Sequence, residues 1–289
     1  MMARVLSGLK YLTGKDVAGR NLRCRPDDTF IVSYPKSGNT WLRFLIANLL
    51  RPQTPVTFLE ADRLIPSADG RSRKYFQQMP VPRVIKSHYP FEPAYERVIY
   101  IVRDPRDVAV SQYHYQIKRR VLDEHHPIEE FVSRFVTGNV CPYGSWGENV
   151  GSWMAARLRH PGFLWLRYED LIARTEMELQ RIASYLNVEA TPELLGQTIA
   201  RSSADRMRTL ERQQAGEWAS TKGTRKDRLF VRAASAGGWK AELPEASVAA
   251  IESAWAPLMR WLGYDCASSL KRTHPREHLF EAVLQQRPL

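Results

Sequence analysis

The chain has few cysteines. Its three, Cys24, Cys141 and Cys266, stand too far apart for a disulfide framework or a metal knuckle, which predicts a reducing, cytoplasmic setting. No apolar run approaches the roughly 18 residues of a membrane-spanning helix. The stretch Met1 to Lys15 sets Val5, Leu6, Leu9 and Leu12 at helical spacing, but it has no signal-peptide core or cleavage site and reads as a helix packed on the domain. No stretch repeats. Acidic residues are in deficit, 31 against 42 Lys and Arg, a net charge of +11. Such charge suits an anionic ligand, a nucleic acid or an acidic membrane face. A basic helix with interleaved aromatics and zinc-finger spacing are both missing, so nucleic acid is not expected as a partner. With 289 residues, 44% hydrophobic and 25% charged, the chain has an ordinary globular composition.

What organises the chain is Tyr34 to Trp41, YPKSGNTW. The preceding run, Thr29 to Ser33, is apolar and β-branched and reads as a short buried strand. Trp41 to Leu50 has no breaker and predicts a helix that stops before Pro52. Strand, tight turn and helix together make an anion site. The first N–H groups of a helix lack internal partners, and the aligned peptide dipoles put partial positive charge at the same end. Gly38 lets the backbone come close, Lys36 adds a mobile charge, and Ser37 and Thr40 add hydroxyl donors. The Gly-Lys-Ser/Thr order of the nucleotide-hydrolase loop is absent, because Lys36 precedes Gly38.

The alternation continues. Arg83 to His88 begins as a strand and ends on polar groups, Arg97 to Val102 is a buried strand ending at Arg103, and Phe163 to Tyr168 is a further strand closed by Glu169 and Asp170. Helices are predicted at Asp107 to Arg120, with Asp104 or Asp107 near its start, at Glu176 to Leu186 and at Ser247 to Leu262. Pro52 to Pro82 reads as a variable loop with short helical pieces, Glu211 to Arg228 as a mobile loop, and the residues from Lys271 as an appendage with a short helix at Glu277 to Leu284. This order predicts an α/β fold with a central parallel sheet flanked by helices on both faces, where ligands bind just past the strand ends. Arg103, a planar fork at a strand end, and Ser111 on the next helix form a second phosphate grip. An Arg held by Asp104 or Asp107 in a structural ion pair would give the same pattern.

These residues carry a resemblance. YPKSGNTW resembles the 5′-phosphosulfate loop of the sulfotransferases that use 3′-phosphoadenosine 5′-phosphosulfate (PAPS), and RDPRDVAVS, Arg103 to Ser111, resembles their 3′-phosphate motif. Lys86 to Pro90, KSHYP, is similar to their KTHLP catalytic segment, and Tyr143 to Trp146, Val150, Trp153 and Leu166 to Leu171 follow in the family's order. The resemblance covers roughly residues 28 to 265 and implies an N-terminal extension over 1–24, a sulfotransferase domain over 25–266 and a C-terminal tail over 267–289. It also implies a P-loop-kinase-like phosphosulfate-binding loop. The activity implied is transfer of a sulfuryl group from PAPS to a hydroxyl or amine without a metal, leaving 3′-phosphoadenosine 5′-phosphate (PAP).

By the same resemblance His88 is the general base, a role that suits imidazole. Lys36 stabilises charge on the leaving group, and Lys86, on the same side of the extended chain as His88, assists at the sulfuryl oxygens. The donor nucleotide falls to Lys36, Ser37, Gly38, Asn39, Thr40 and Trp41, to Arg103 and Ser111 at the 3′-phosphate, and to Tyr168 and Ser202. The late segment Phe230 to Lys240 resembles the family's RKGxxGxWK, but Ala233 and Ala234 replace Lys and Gly beside Arg232. With Ala204 where an aromatic often stacks on the base, this predicts weaker nucleotide binding.

For the acceptor, Phe91, Tyr143, Trp146 and Asn149 are expected in the pocket, with Tyr95, Tyr75 and Phe76 nearby. Asn149 stands where many animal enzymes have a His, and their dimer-forming segment is missing after Lys240, so neither their acceptor nor their oligomeric state carries over. An aromatic wall suits a small or lipid-like alcohol or phenol. Arg71, Arg73 and Lys74 would favour an acidic glycan acceptor instead. A P-loop-like kinase is the other alternative, and it would require a Mg²⁺ carboxylate.

Overall fold

The computed structural model describes residues 13–266. The helices expected at Met1 to Lys15 and Glu277 to Leu284 lie outside that range, but for residues 13–15. Four strands, Thr29–Val32 (β1), Val84–Ser87 (β2), Arg97–Val102 (β3) and Phe163–Arg167 (β4), form one sheet in the order β2-β1-β3-β4, and every pairing is parallel. The expected α/β architecture is therefore present.

Parallel strands need crossovers; residues 88–96 join β2 to β3 as a loop, and the others contain helices. Among the longer ones are Asn39–Leu50 (α1), Phe58–Leu64 (α2) and Arg73–Gln78 (α3) between β1 and β2. Between β3 and β4 come Pro105–Lys118 (α4), Ile128–Val136 (α5) and Trp146–Arg157 (α6). After β4 follow Tyr168–Ala173 (α7), Thr175–Tyr185 (α8), Pro192–Arg201 (α9), Ala204–Gln214 (α10), Trp239–Glu242 (α11) and Glu245–Trp261 (α12). Asp104, not Asp107, caps α4, accepting from the Arg106 N–H at 2.9 Å.

Alternation along the strands builds two cores. Phe30, Val32, Val98, Tyr100 and Val102 point to one face and pack with α4, α5, α6 and α12. Ile31, Ile99, Ile101 and Leu166 point to the other and pack with α1, α2, α8, α9 and α10. Each such side chain contributes about 1.5–3 kcal/mol on full burial, which fixes the register and, with it, where the strands end.

The expectation of a mobile loop over Glu211 to Arg228 is not met. Glu211 is buried at the end of α10, where it accepts from the Phe230 and Val231 N–H groups at 2.5 and 2.9 Å and faces the buried Lys118 at 3.6 Å. Trp218 is buried, stacked on Phe58 at 3.9 Å, and donates to Asp62 at 3.1 Å. The segment is a strap anchored at both ends, and its polar composition hid buried anchors whose partners are remote in sequence.

Candidate active site

All four strands end on the same side. β1 runs into the Ser33–Gly38 turn, β2 into His88, β3 into Arg103 and β4 into Tyr168. Beyond them lies a cavity of about 670 Å³ whose lining includes Lys36, Thr40, Lys86, His88, Arg103 and Ser111.

Gly38 precedes α1 with φ of +98°, and a Cβ there would meet the Tyr168 ring at 2.4 Å. Gly38→Ala is accordingly expected to lower stability by about 1–3 kcal/mol and to weaken nucleotide binding at least tenfold. Thermal melts and calorimetry check this, and a variant that binds as wild type does would show that the close approach is unnecessary. Lys36 itself sits at φ +69°, sparsely populated for a side-chain-bearing residue.

Buried donors in this region without a hydrogen-bond partner among the described residues include the Ser37 hydroxyl, Arg103 Nε and Arg43 Nε, the first two beside the loop after β1. Buried polar groups are nearly always paired, and two orphans flanking a helix N-terminus and a glycine cradle fit an anionic ligand. Arg103 is held by other contacts, donating to Ser235 O at 3.0 Å and to Lys36 O at 3.4 Å and lying 4.3 Å from the Tyr168 ring centroid. Arg103 does pair with Asp107, at long range and alongside these other contacts. Asp104 binds Arg106 at 2.7 Å, and Asp107, 3.9 Å from Arg103, accepts from the Gly237 and Trp239 N–H groups at 2.7 and 3.1 Å.

Trp41 and Tyr168 line the cavity, their rings meeting edge-on at 6.0 Å, and Trp41 Nε1 donates to Ser202 O at 3.0 Å. Ser202 is fully buried in the wall, its Oγ accepting from Asn48 at 3.2 Å. Asn39 is turned into the loop, donating to Ser33 Oγ at 3.2 Å. Arg232, Ala233 and Ala234 line the far end, with Arg232 paired to Glu242 at 2.6 Å. Ala234 keeps φ at +52°, so alanine occupies the left-handed conformation that glycine favours, at a cost of about 1 kcal/mol.

The His88 geometry decides its tautomer. Its Nδ1 lies 2.7 Å from Ser33 O, and since a carbonyl only accepts, Nδ1 carries the proton and Nε2 holds the free lone pair. Burial and the neighbouring Lys86 charge pull the imidazole down to about 3, so it is neutral across the physiological range. Burial likewise lowers Lys86 to about 8. Burial and the Arg103 charge lower Lys36 to about 7, and its Nζ sits 3.8 Å from the Phe230 ring centroid and 4.2 Å from that of Tyr115.

Three of the four residues expected in the acceptor wall are elsewhere. Trp146 is fully buried, Nε1 donating to Arg103 O at 3.1 Å, and Phe91 packs edge-on against Trp153 at 5.4 Å, outside the cavity lining. Tyr95 and Phe76 are core residues too. Asn149, fully buried, braces the His88 backbone: Nδ2 donates to His88 O at 2.9 Å while Oδ1 accepts from the Tyr100 hydroxyl at 2.9 Å. Of the expected wall only Tyr143 lines the cavity, its ring edge-on to His88 at 5.4 Å. The wall that sequence reading missed is one stripe of α4, Gln112, Tyr115, Gln116 and Arg119. Its helical spacing, starting one residue after Ser111, was the available signal. Among the described residues no group of three or more His, Cys, Asp or Glu side chains is placed to hold a metal ion, and no helix is long and apolar enough to cross a membrane.

Comparison with known proteins agrees with this geometry. Residues 26–263 match the family model described as the sulfotransferase domain. Sulfotransferase 1B1 of Canis lupus familiaris is 32% identical over 232 residues, 75% of this chain and 78% of that protein. The 3-beta-hydroxysteroid sulfotransferase of Cavia porcellus is 30% identical over 228 residues, again 75% and 78%. In fold, the chain is similar to mouse sulfotransferase SULT7A1 complexed with PAP, with a TM-score of 0.68, 22% identity and 92% of each chain covered. It is similar also to retinol dehydratase in a complex with retinol and PAP, with a TM-score of 0.69, 19% identity and 91% and 88% covered. A loop of sulfotransferase order at the end of β1, a neutral histidine at the end of β2 and a family match over most of the length together place this chain in the sulfotransferase family.

Proposed function

We propose that the protein transfers the sulfuryl group of PAPS to a hydroxyl or amine of a small-molecule acceptor, with His88 as general base and PAP as the nucleotide product. The observation that carries the reading is one cavity lined by a neutral imidazole with a free Nε2, two lysines and Arg103, next to buried donors that lack partners. PAPS supplies an activated sulfuryl group on a phosphosulfate anhydride. This chain's residues do the rest. Ser37, the first N–H groups of α1 and Lys36 bind the phosphosulfate end, and Arg103 and Ser111 bind the 3′-phosphate.

His88 Nε2 accepts the acceptor's proton as the oxygen or nitrogen attacks sulfur. Ser33 O fixes the ring through Nδ1–H and stabilises the imidazolium that forms. Lys36 and Lys86 oppose the charge that develops on the departing phosphate and on the sulfuryl oxygens. The stripe of Gln112, Gln116 and Arg119 puts polar groups along a wall expected to be aromatic, with Tyr115 and Tyr143 as its rings.

The test is nucleotide binding followed by turnover. Calorimetric titration in EDTA should favour PAP over ADP, and labelled PAPS should sulfate a panel of phenols, alcohols and glycans without added metal. Preference for ADP, or turnover that EDTA abolishes, would support the kinase alternative. Arg103→Ala should weaken PAP far more than adenosine 5′-phosphosulfate, by about 2–3 kcal/mol for a charge-assisted contact. Equal losses for both would misplace the 3′-phosphate.

A further inference from the structure

Residues 66–68 form a parallel bridge beside β2: the Lys86 N–H donates to Pro66 O and the Ala68 N–H to Lys86 O, both at 2.9 Å. This brings Ser67 and Asp69 against the Lys86 side chain. Lys86 Nζ donates to Ser67 Oγ at 3.1 Å, the Ser67 hydroxyl donates to Asp69 Oδ1, and the Tyr143 hydroxyl donates to Asp69 Oδ2. Tyr143 closes the circuit, because its ring meets that of His88.

We propose that Asp69 is a positioning residue for sulfuryl transfer, holding Lys86 and Tyr143 on two sides of His88 through the chain Lys86, Ser67, Asp69, Tyr143. The inference rests on the reading of His88 and Lys86 as transfer machinery.

The direction of every bond in the chain is forced. An ammonium only donates and an ionised carboxylate only accepts, so Ser67, having accepted from Lys86, gives its proton to Asp69, and Tyr143 must do the same. A protonated or amidated residue 69 has a donor of its own, so one of these links must reverse its direction or be lost. Asp69 is also the counter-charge left for Lys86. The charged groups around Lys86 are Arg43 on α1, Asp62 on α2 and Asp69, with the titratable but neutral His88 two residues on, and Asp62 is engaged by Arg43 at 2.8 Å and by Trp218 at 3.1 Å. Burial pulls Lys86 down while Asp69 draws it up. Burial pushes Asp69 up, yet Lys86, Ser67 and His88 hold it below the usual carboxylate value. A charged Lys86 in turn keeps His88 neutral.

The experiment compares wild type with Asp69→Asn, Ser67→Ala and Tyr143→Phe. Reverse transfer from p-nitrophenyl sulfate to PAP moves the sulfuryl group from the aryl oxygen to the 5′-phosphate and releases nitrophenolate, which gives a pH profile. Lysine ¹³C NMR, with Lys86 assigned from Lys86→Arg, gives the titration directly, and PAP calorimetry reports on the nucleotide site. Asp69→Asn is expected to move the Lys86 midpoint and the alkaline limb of kcat down by about one pH unit, cutting alkaline-side kcat up to about tenfold, with PAP affinity unchanged. Ser67→Ala should shift the midpoint in the same direction, whereas Tyr143→Phe should leave it in place and raise KM for the aryl sulfate.

A Lys86 midpoint that stays put in both Asp69→Asn and Ser67→Ala overturns the proposal, as does loss of PAP binding in both. Absence of PAP binding and turnover in wild type would overturn the sulfuryl-transfer reading instead, while the lysine titration still decides whether Asp69 governs Lys86.

Discussion

His88→Ala is expected to lower kcat by about two to four orders of magnitude, the usual worth of a positioned general base, and to leave PAP affinity near that of wild type. The two effects separate because of where the side chain is anchored. His88 follows the end of β2, its ring tied by Nδ1–H to Ser33 O and its own carbonyl held by Asn149, and in the proposed reading it serves the acceptor while the loop after β1 serves the nucleotide. His88→Gln should recover little, since an amide can accept a hydrogen bond but is far too weak a base to keep the proton. The pH profile adds a second check. Burial and Lys86 hold the free imidazole at about 3, so kcat/KM should not rise with pH near the ordinary histidine value of about 6.5; the fall expected above about pH 7 belongs to Lys36. A His88→Ala variant that retains wild-type turnover would remove His88 as the base.

Asn149 shows where sequence reading stops. Its position in the chain pointed to the active site, but a single sequence could not show that its amide faces the His88 carbonyl and the Tyr100 hydroxyl rather than the acceptor. Trp146 and Phe91 make the same point. Large aromatics near a motif satisfy a core as readily as a pocket, and here the core claims both. The strands were legible because short β-branched runs between breakers have few other solutions, and the residues just past their ends were legible with them. The helices α5, α6, α7, α9, α10 and α11 escaped notice: α6 carries Gly147 and Gly151 and was read as a string of motif residues, not as an element. Asp69 was invisible for another reason. It gains its role from a parallel bridge beside β2 within a stretch whose composition reads as loop, and its partners Lys86 and Tyr143 are remote in sequence.

Lys36→Met should cost about 10²–10³-fold in kcat, the typical loss when one preorganised stabiliser of developing charge is removed. Methionine keeps an unbranched apolar stem of nearly the same length but removes the ammonium and its contacts with the Phe230 and Tyr115 rings. The same substitution tests a proton linkage. Burial and Arg103 first, then Arg232 and Lys118, hold Lys36 at about 7, against the opposite pull of Glu211. An anion in the loop favours the charged form and raises that value, so PAP binding near pH 8 takes up close to one proton. Because the bound form has the higher pKa, affinity is level below about pH 7 and falls by up to tenfold per unit above it, until the bound lysine itself titrates. Calorimetry in buffers of different ionisation enthalpy measures the uptake directly. Lys36→Met should abolish it and flatten the pH dependence of binding; uptake that persists in the variant would assign the proton to another group and leave Lys36 with a merely steric part in the loop.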